Sequence, residues 1–349
     1  MVKILPTLLI AATVLAVIVH FAAKTQTIPA VPVEIKEAYS QWCKLFGKLR
    51  ESPEEHNFRM KQFQSAFEFI QRHNANPKKS HTVALNQFAD LTDEEFHSVY
   101  SSQKFDKSAG QGFPEESVEP ETNSLGQVPE NIDMRGKLQQ LSMQGSSICN
   151  DNYAWVSAVA MNANYYMSRG TIRYQFSPQT YIDCSANFGN QGCTGGQAFN
   201  SFKYSEKFGV ATLTDYPYYG TQRGCRATTG MFSNLRTMNP PQLSNSYLKN
   251  FLLRKAGVIA VGLDMTSNEA RYYKGGIFIG PCSTNPSQNL LLVGMGIDTF
   301  TNYKYWIVMN TWGSFWGDQG IMKIARFEQD NDSRYSSCGL NMWASFPEF

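Results

Sequence analysis

The amino-acid sequence predicts an α+β fold: a small N-terminal helical unit, then a larger domain that is helical in its first half and rich in strand in its second. Three observations lead there. Residues 34–100 are rich in helix formers and interleave charged and apolar side chains at helical spacing. Within residues 144–168, Tyr153, Val156, Ala160 and Ala163 fall on one helical face with Trp155, Val159 and Tyr166 beside them, the pattern of a buried helix packed through small residues. Strand-like alternation then takes over in residues 257–264, 290–298 and 305–310.

The length of 349 residues allows two or three domains, and 42% hydrophobic with 13% aromatic content is enough for a sizeable core. A formal net charge of +2, with no Lys/Arg block of five or more, excludes nucleic acid and an anionic membrane surface as expected partners. Lys3 precedes an apolar run over residues 4–23, broken only by Pro6, Thr7, Thr13 and His20. Residues 1–23 are therefore a signal peptide or a retained signal anchor, and the interrupting Pro and polar residues favour the cleaved signal. An anchor would tie the protein to a membrane.

Asp151 and Asn152 open the buried helix, where their side-chain oxygens are placed to cap the N–H groups of its first turn. The positive end of such a helix is also where a cysteine nucleophile has its pKa lowered. No thiol stands at the helix start.

The stretch CNDNYAW, residues 149–155, resembles the nucleophile segment of the papain and cathepsin family of cysteine proteases, Cys-Gly-Ser-Cys-Trp-Ala-Phe preceded by Gln-Gly. Cys149 takes the first cysteine, Tyr153 the tryptophan, Ala154 the alanine and Trp155 the phenylalanine. Asn152 takes the place of the nucleophile. The resemblance implies a papain-like two-subdomain fold with the active cleft between its helical and β-rich halves.

A second resemblance lies upstream. Glu55, Arg59, Phe63, Ile70 and Asn74 match the spaced helix pattern of cathepsin inhibitory prosegments (the I29 type), with Ala66 in place of its first Asn. Asn86, Phe88 and Asp90 match the Gly-x-Asn-x-Phe-x-Asp signature, with Ala84 replacing the glycine. Residues 34–100 are thus expected to be a helical prosegment. Residues 101–127, which hold Gly110, Gly112, Pro114, Pro120 and an acidic cluster, are expected to be a linker. Residues 128–349 resemble the peptidase domain, beginning at VPENIDMR, where Met134 replaces a usual tryptophan. In residues 177–184 and 192–196 the text follows the family's disulfide loop and groove glycines.

Seven cysteines stand at 43, 149, 184, 193, 225, 282 and 338. The resemblance implies the bridges Cys149–Cys193, Cys184–Cys225 and Cys282–Cys338, in keeping with an oxidising compartment, and each would stabilise by about 2–4 kcal/mol. That leaves the domain without a spare thiol. The competing reading makes Cys149 the nucleophile, which strands Cys193 and moves the thiol away from the helix start. Cys43 is odd: free, buried in the prosegment, or paired between molecules.

Thiol-protease chemistry needs an imidazole, yet all five histidines lie at 20, 56, 73, 81 and 97. The position matching the family's histidine is Gln288, 288 − 152 = 136 residues after Asn152, within the roughly 130–150 typical of this family. Asn310, in NTWGSFWG, takes the place of the residue that orients the histidine, beneath Trp312 and Trp316, and Gln144 that of the oxyanion-hole glutamine. The Gln144-to-Cys149 spacing is two residues longer than the family's. Amides neither attack nor accept protons near neutral pH, so Asn152, Gln288 and Asn310 are expected to form a neutral hydrogen-bonded network. Ser146, Ser147 and Ser157 lack a base and read as turn and packing residues.

Gly195 and Gly196 leave backbone available to pair with an extended peptide, or else serve only the disulfide loop. Gln197, Ala198, Asn289 and Trp343 depart from the apolar pocket text of the family. Residues 331–333 form a glycosylation sequon. No metal or cofactor is expected. The reading is an inactive peptidase homologue of the secretory pathway, lysosomal, vacuolar or extracellular, binding a peptide, a protease or a protease inhibitor in its cleft besides its own prosegment. An active cysteine endopeptidase is the first alternative and a structural secreted glycoprotein the second.

Overall fold

The computed structural model describes residues 32–48, 52–101, 105, 129–138, 148–170, 175–226, 235–238, 245–255, 257–327 and 336–349. The apolar run at 4–23, most of the linker, Gln144, Ser146, Ser147 and the sequon lie outside them. The chain divides into two compact units, residues 1–64 and 65–349.

In the first unit, α1 (Val33–Phe46) buries Ile35, Tyr39 and Trp42, spaced to fall on one helical face. It stops at Gly47, whose left-handed φ of 61° lets the chain turn out and its N–H reach the Cys43 carbonyl. Tyr39 and Trp42 hold Phe63 at ring-centroid distances of 5.2 and 5.6 Å. Phe63 lies on α2 (Pro53–Ala75), which starts with Pro at its first position and Ser52 Oγ accepting the Glu55 N–H at 3.1 Å. Cys43 is half-buried on α1 and belongs to none of the three bridges described below.

The second unit opens with the last turns of α2. Asn74 donates to the Val83 carbonyl at 2.8 Å and accepts its N–H at 3.1 Å, tying the helix end to β1 (His81–Val83). A capping box of Thr92 and Glu95 starts α3 (Asp93–Tyr100). Then come β2 (Ile132–Asp133), α4 (Asn152–Arg169), α5 (Pro178–Cys184), α6 (Ala198–Phe208), β3 (Arg236–Met238) and α7 (Asn245–Asn250). The remainder is β4 (Ile259–Leu263), α8 (Asn268–Arg271), β5 (Tyr273–Phe278), β6 (Gln288–Ile297), β7 (Lys304–Met309), β8 (Ile321–Ala325) and β9 (Ala344–Glu348). The strands form one sheet in the order β1-β5-β8-β7-β6-β4-β9-β3, with β2 paired to β6.

Two apolar cores flank the middle of that sheet. One surrounds α4, where every residue from 152 to 164 except half-buried Trp155 is buried, so the helix is covered all round and not on one face alone. This accounts for its Ala-rich text, because only small side chains let backbone and neighbours approach so closely. The second core lies under β4 to β9 and holds Trp306, Trp312 and Trp316 together with Phe88 and Phe96. Cys149 bonds Cys193, Cys184 bonds Cys225 and Cys282 bonds Cys338, with Cα separations of 4.5, 4.9 and 5.5 Å. These are the pairs that the resemblance implies.

Candidate functional site

Helix α4 points its N-terminus at the start of β6, and Asn152 and Gln288 meet there. Asp151 is the N-cap, but its side chain makes no capping bond. Instead its carboxylate accepts the Tyr218 hydroxyl, and Tyr218 packs edge-on against Trp155 at 4.9 Å. The expected cap is therefore absent, because the carboxylate is drawn sideways by a phenol. Burial and then the Asp151 charge push the Tyr153 hydroxyl above its ordinary pKa, and the same two causes raise Tyr100.

Asn152 is buried, and its side chain crosses to β6. Its Oδ1 accepts the Asn289 N–H at 2.9 Å and the Asn289 Nδ2 at 3.0 Å, while its Nδ2 donates to the Asn289 carbonyl and reaches Thr311 Oγ1 at 3.4 Å. Gln288 is 1% exposed. With its carboxamide turned so that both ends are satisfied, its Oε1 accepts from Asn152 Nδ2 and Trp312 Nε1, each at 3.0 Å, and its Nε2 donates to the Tyr100 carbonyl at 3.1 Å.

Asn310 stays outside this network. Its Oδ1 accepts the Thr311 N–H at 2.8 Å, and its Nδ2 is buried without a partner. The expected three-amide cluster is thus corrected: Asn152 and Gln288 belong to it, and Asn289 replaces Asn310. The backbone explains why. The Asn310 N–H is committed to Gly320 at 2.9 Å as β7 ends, which turns the side chain back onto its own neighbour.

The glycine pair is also less available than expected. The Gly195 carbonyl accepts the Gln191 N–H at 2.8 Å and its N–H donates to Gly192 at 3.4 Å, both inside the disulfide loop. The Gly196 carbonyl accepts from Asn289 Nδ2 at 3.1 Å. Glycine is required at 196 because a Cβ would lie 2.3 Å from Asn190 Oδ1. Gln144 lies outside the described residues, so the oxyanion position carries no geometry.

Residues of the prosegment text line the other side. Phe88 and Phe96 pack against Trp312 at 5.3 and 5.4 Å, and Gln87 Nε2 donates to the Trp312 carbonyl at 2.6 Å. Ser101 Oγ donates to Ser287 Oγ at 3.2 Å. Phe105 meets the Trp343 ring edge-on at 5.3 Å, in space left by Gly262, where a Cβ would lie 2.8 Å from the Phe105 ring. Among the described residues no group of His, Cys, Asp and Glu side chains is arranged to hold a metal ion.

Chemically, the groups around Asn152 are amides, hydroxyls and the buried Asp151 carboxylate, and among the described residues no thiol or imidazole bonds Asn152 or Gln288. Sequence reasoning missed the roles of Asn289, Tyr100 and Asp151. The signal for Asn289 was present, two consecutive amides at 288 and 289 ahead of an apolar strand, but its direction depends on β6 pairing, where Asn289 stands opposite Gly262.

Comparison with known proteins follows the same lines. The model for papain family cysteine proteases matches residues 128–348, and that for the cathepsin propeptide inhibitor domain matches residues 39–96. A cathepsin L-like proteinase of Phaedon cochleariae is 30% identical over 318 residues, covering 89% of this chain and 93% of that protein. Ananain of Ananas comosus is 28% identical, over 88% and 86% of the two chains. Among solved structures, the proform of the ragweed pollen cysteine protease Amb a 11 superposes with a TM-score of 0.75 at 25% identity, covering 90% of this chain and 94% of that one. Digestive procathepsin L 3 of Tenebrio molitor larval midgut gives 0.76 at 26% identity, over 90% and 99%.

Proposed function

The chain belongs to the papain family of cysteine proteases and carries a cathepsin-type propeptide inhibitor domain, and from that premise we propose that it is a non-catalytic member which acts by binding. The observation that carries this reading is Asn152 at the start of α4: an amide in the nucleophile's place, hydrogen-bonded at both ends to Asn289 and Gln288. Such a side chain has no lone pair to spare for attack and no base to take a proton. The chain has no histidine beyond His97, and Cys149, the alternative nucleophile, is held in a bridge with Cys193.

The ligand of such a cleft is a peptide, or a segment of a protease or protease inhibitor, met in the secretory pathway, in a lysosome or vacuole, or outside the cell. Three disulfides and the cathepsin-type relatives support that compartment. The chain's own residues 87–101 and 105 already lie along this site, which makes the prosegment its first ligand.

An electrophilic cysteine-protease probe tests the proposal. Purified protein is expected to show no labelling and no turnover of dipeptidyl substrates, and to stay full length when held alone at acidic pH. Labelling that disappears in Cys149→Ala would overturn the reading in favour of an active endopeptidase.

A further inference from the structure

Two buried polar residues of α5, Gln179 and Asp183, hold the loop at residues 216–226. Gln179 Oε1 accepts the Tyr219 N–H at 2.8 Å, and its Nε2 donates to the Thr221 carbonyl at 2.8 Å. Asp183 Oδ1 accepts the Arg223 N–H at 2.7 Å, and its Oδ2 accepts the Tyr216 hydroxyl at 2.9 Å, whose oxygen in turn accepts the Arg226 N–H at 3.2 Å. The Cys184–Cys225 bridge ties the same loop to the end of α5. A buried network satisfied in this way fixes the backbone that it holds.

The side chains that this frame presents are basic. Residues 221–226 are exposed, and Tyr219 is 40% exposed. The Arg223 guanidinium carbon lies 3.5 Å from the centre of the Tyr219 ring, and that of Arg226 lies 5.9 Å from the same ring and 5.3 Å from Tyr216. Stacking on a ring steadies a guanidinium while leaving its N–H edge open to an anion. Among the described residues neither guanidinium forms an ion pair with a carboxylate. Asp183, whose charge reaches Arg226, is buried and already accepts three hydrogen bonds. The sequence around the loop brings no acid either: residues 216–263 contain six Lys and Arg and no Asp or Glu, against a formal net charge of +2 for the whole chain. Such a one-sided stretch suits an anionic partner.

We infer that the loop face at Tyr219, Arg223 and Arg226 is an interaction surface for an acidic segment of a partner protein, each guanidinium taking a side-chain carboxylate. Planar guanidinium forks match carboxylates in pairs of charge-assisted hydrogen bonds. Because the loop is fixed before the partner arrives, little ordering is left to oppose the contact. A polyanionic chain such as a sulfated glycan would gain its affinity by neutralising many charges along a track, whereas only two guanidiniums converge on Tyr219. The surface is distinct from the groups that bond Asn152 and Gln288, and the inference does not rest on the non-catalytic reading.

The experiment uses the full chain and fluorescent hexaglutamate, with hexaglutamine and a sulfated oligosaccharide of similar length as the other arms. Anisotropy is followed at an ionic strength of about 0.01 M, where the Debye length is about 30 Å. The native protein is expected to bind hexaglutamate and not hexaglutamine. Arg223→Gln with Arg226→Gln is expected to weaken that binding about tenfold, the order expected for two exposed charge-assisted contacts, with thermal melting as the check on folding. Absence of hexaglutamate binding by the native protein, or undiminished binding by the folded double variant, overturns the inference. Binding of the sulfated oligosaccharide through the same two arginines, with hexaglutamate left unbound, overturns it in favour of a glycan. Arg223→Lys with Arg226→Lys keeps the charge and loses the planar fork, and is expected to bind more weakly than the native protein; equal binding overturns recognition by the guanidiniums, and this pair carries the comparison if the Gln pair does not fold. None of these readouts involves a thiol, so probe labelling of the native protein would sink the non-catalytic reading without touching this result.

Discussion

Asn152 and Gln288 meet across the cleft with side-chain nitrogen and oxygen 3.0 Å apart, and the function proposed above takes them to stand where an active relative has its thiol and imidazole. A thiolate and an imidazolium would hold each other by charge. Here two neutral carboxamides hold each other by a hydrogen bond, and the surplus donors and acceptors are passed on to Asn289, Trp312 and Tyr100. The site has thereby become part of the packing between α4 and β6.

Arg271 gives the first prediction. It is buried on α8, donates to Asp93 at 3.0 Å and to the carbonyls of Phe88 and Leu91 at 2.6 and 2.7 Å, and covers the Phe96 ring at 4.6 Å. Burial lowers its pKa from the ordinary value, a sign of how much solvation it has given up. Asp93 is largely exposed and can return to water; the two carbonyls cannot. Arg271→Met is therefore expected to cost about 2–3 kcal/mol, arising from orphaned acceptors and not from the lost ion pair. Urea unfolding of the variant, with Asp93→Asn as the comparison, checks this: Asp93→Asn should cost well under half as much.

His81 gives a pH dependence. It is buried on β1, against His73 at 4.7 Å, Phe278 at 5.0 Å and Tyr273 at 6.0 Å, with its Nδ1 beside Ser80 Oγ at 3.2 Å. Burial, and secondarily the His73 charge, hold its pKa down at about 4 from an ordinary 6.5. A lowered folded-state pKa means that the unfolded chain binds a proton the folded chain refuses. The contribution is present in full above pH 6.5 and is lost as pH falls from 6.5 towards 4. Allowing for partial solvent screening, roughly 1–2 kcal/mol is at stake. His81→Phe, which suits the aromatic surroundings, should flatten the thermal-melting profile between pH 6.5 and 4; an unchanged slope would assign the pH dependence elsewhere.

The legibility of this chain in its sequence followed the range of the interactions involved. Helix α4, strands β4, β6 and β7, and the prosegment helices could be read because each is set by local periodicity and by caps such as Thr92 with Glu95. Matched text and spacing singled out Asn152 and Gln288, and the structure brings their side chains together. The direction of a side chain could not be read that way. Asn310 was expected in the amide network and turns to Thr311, because a backbone bond to Gly320, ten residues away, fixes where it faces. Asp151 was expected to cap α4 and is drawn to Tyr218, 67 residues on. Asn289 gained its role from a sheet register that no local pattern specifies.

The last prediction concerns restoring a reactive thiol at the start of α4. Asn152→Cys with Gln288→His places a thiol and an imidazole at these two positions, and the helix N-terminus favours an anion there. Two features oppose full restoration. Asn310 keeps its Oδ1 on Thr311, so a histidine at 288 lacks the partner that would orient its ring. The Asp151 carboxylate, one residue before the thiol and buried to 1% exposure, disfavours a second negative charge beside it. The double variant's thiol is therefore expected to titrate only modestly below the free value of about 8.5, and adding Asp151→Asn should lower it by about one further unit. Asn152→Cys alone, in a site buried to 4% exposure and without a base, should stay at or above the free value. Alkylation rate by iodoacetamide against pH reads all three variants. Identical titration of the double and triple variants would show that the Asp151 carboxylate does not govern the site, and leave the unoriented ring as the obstacle.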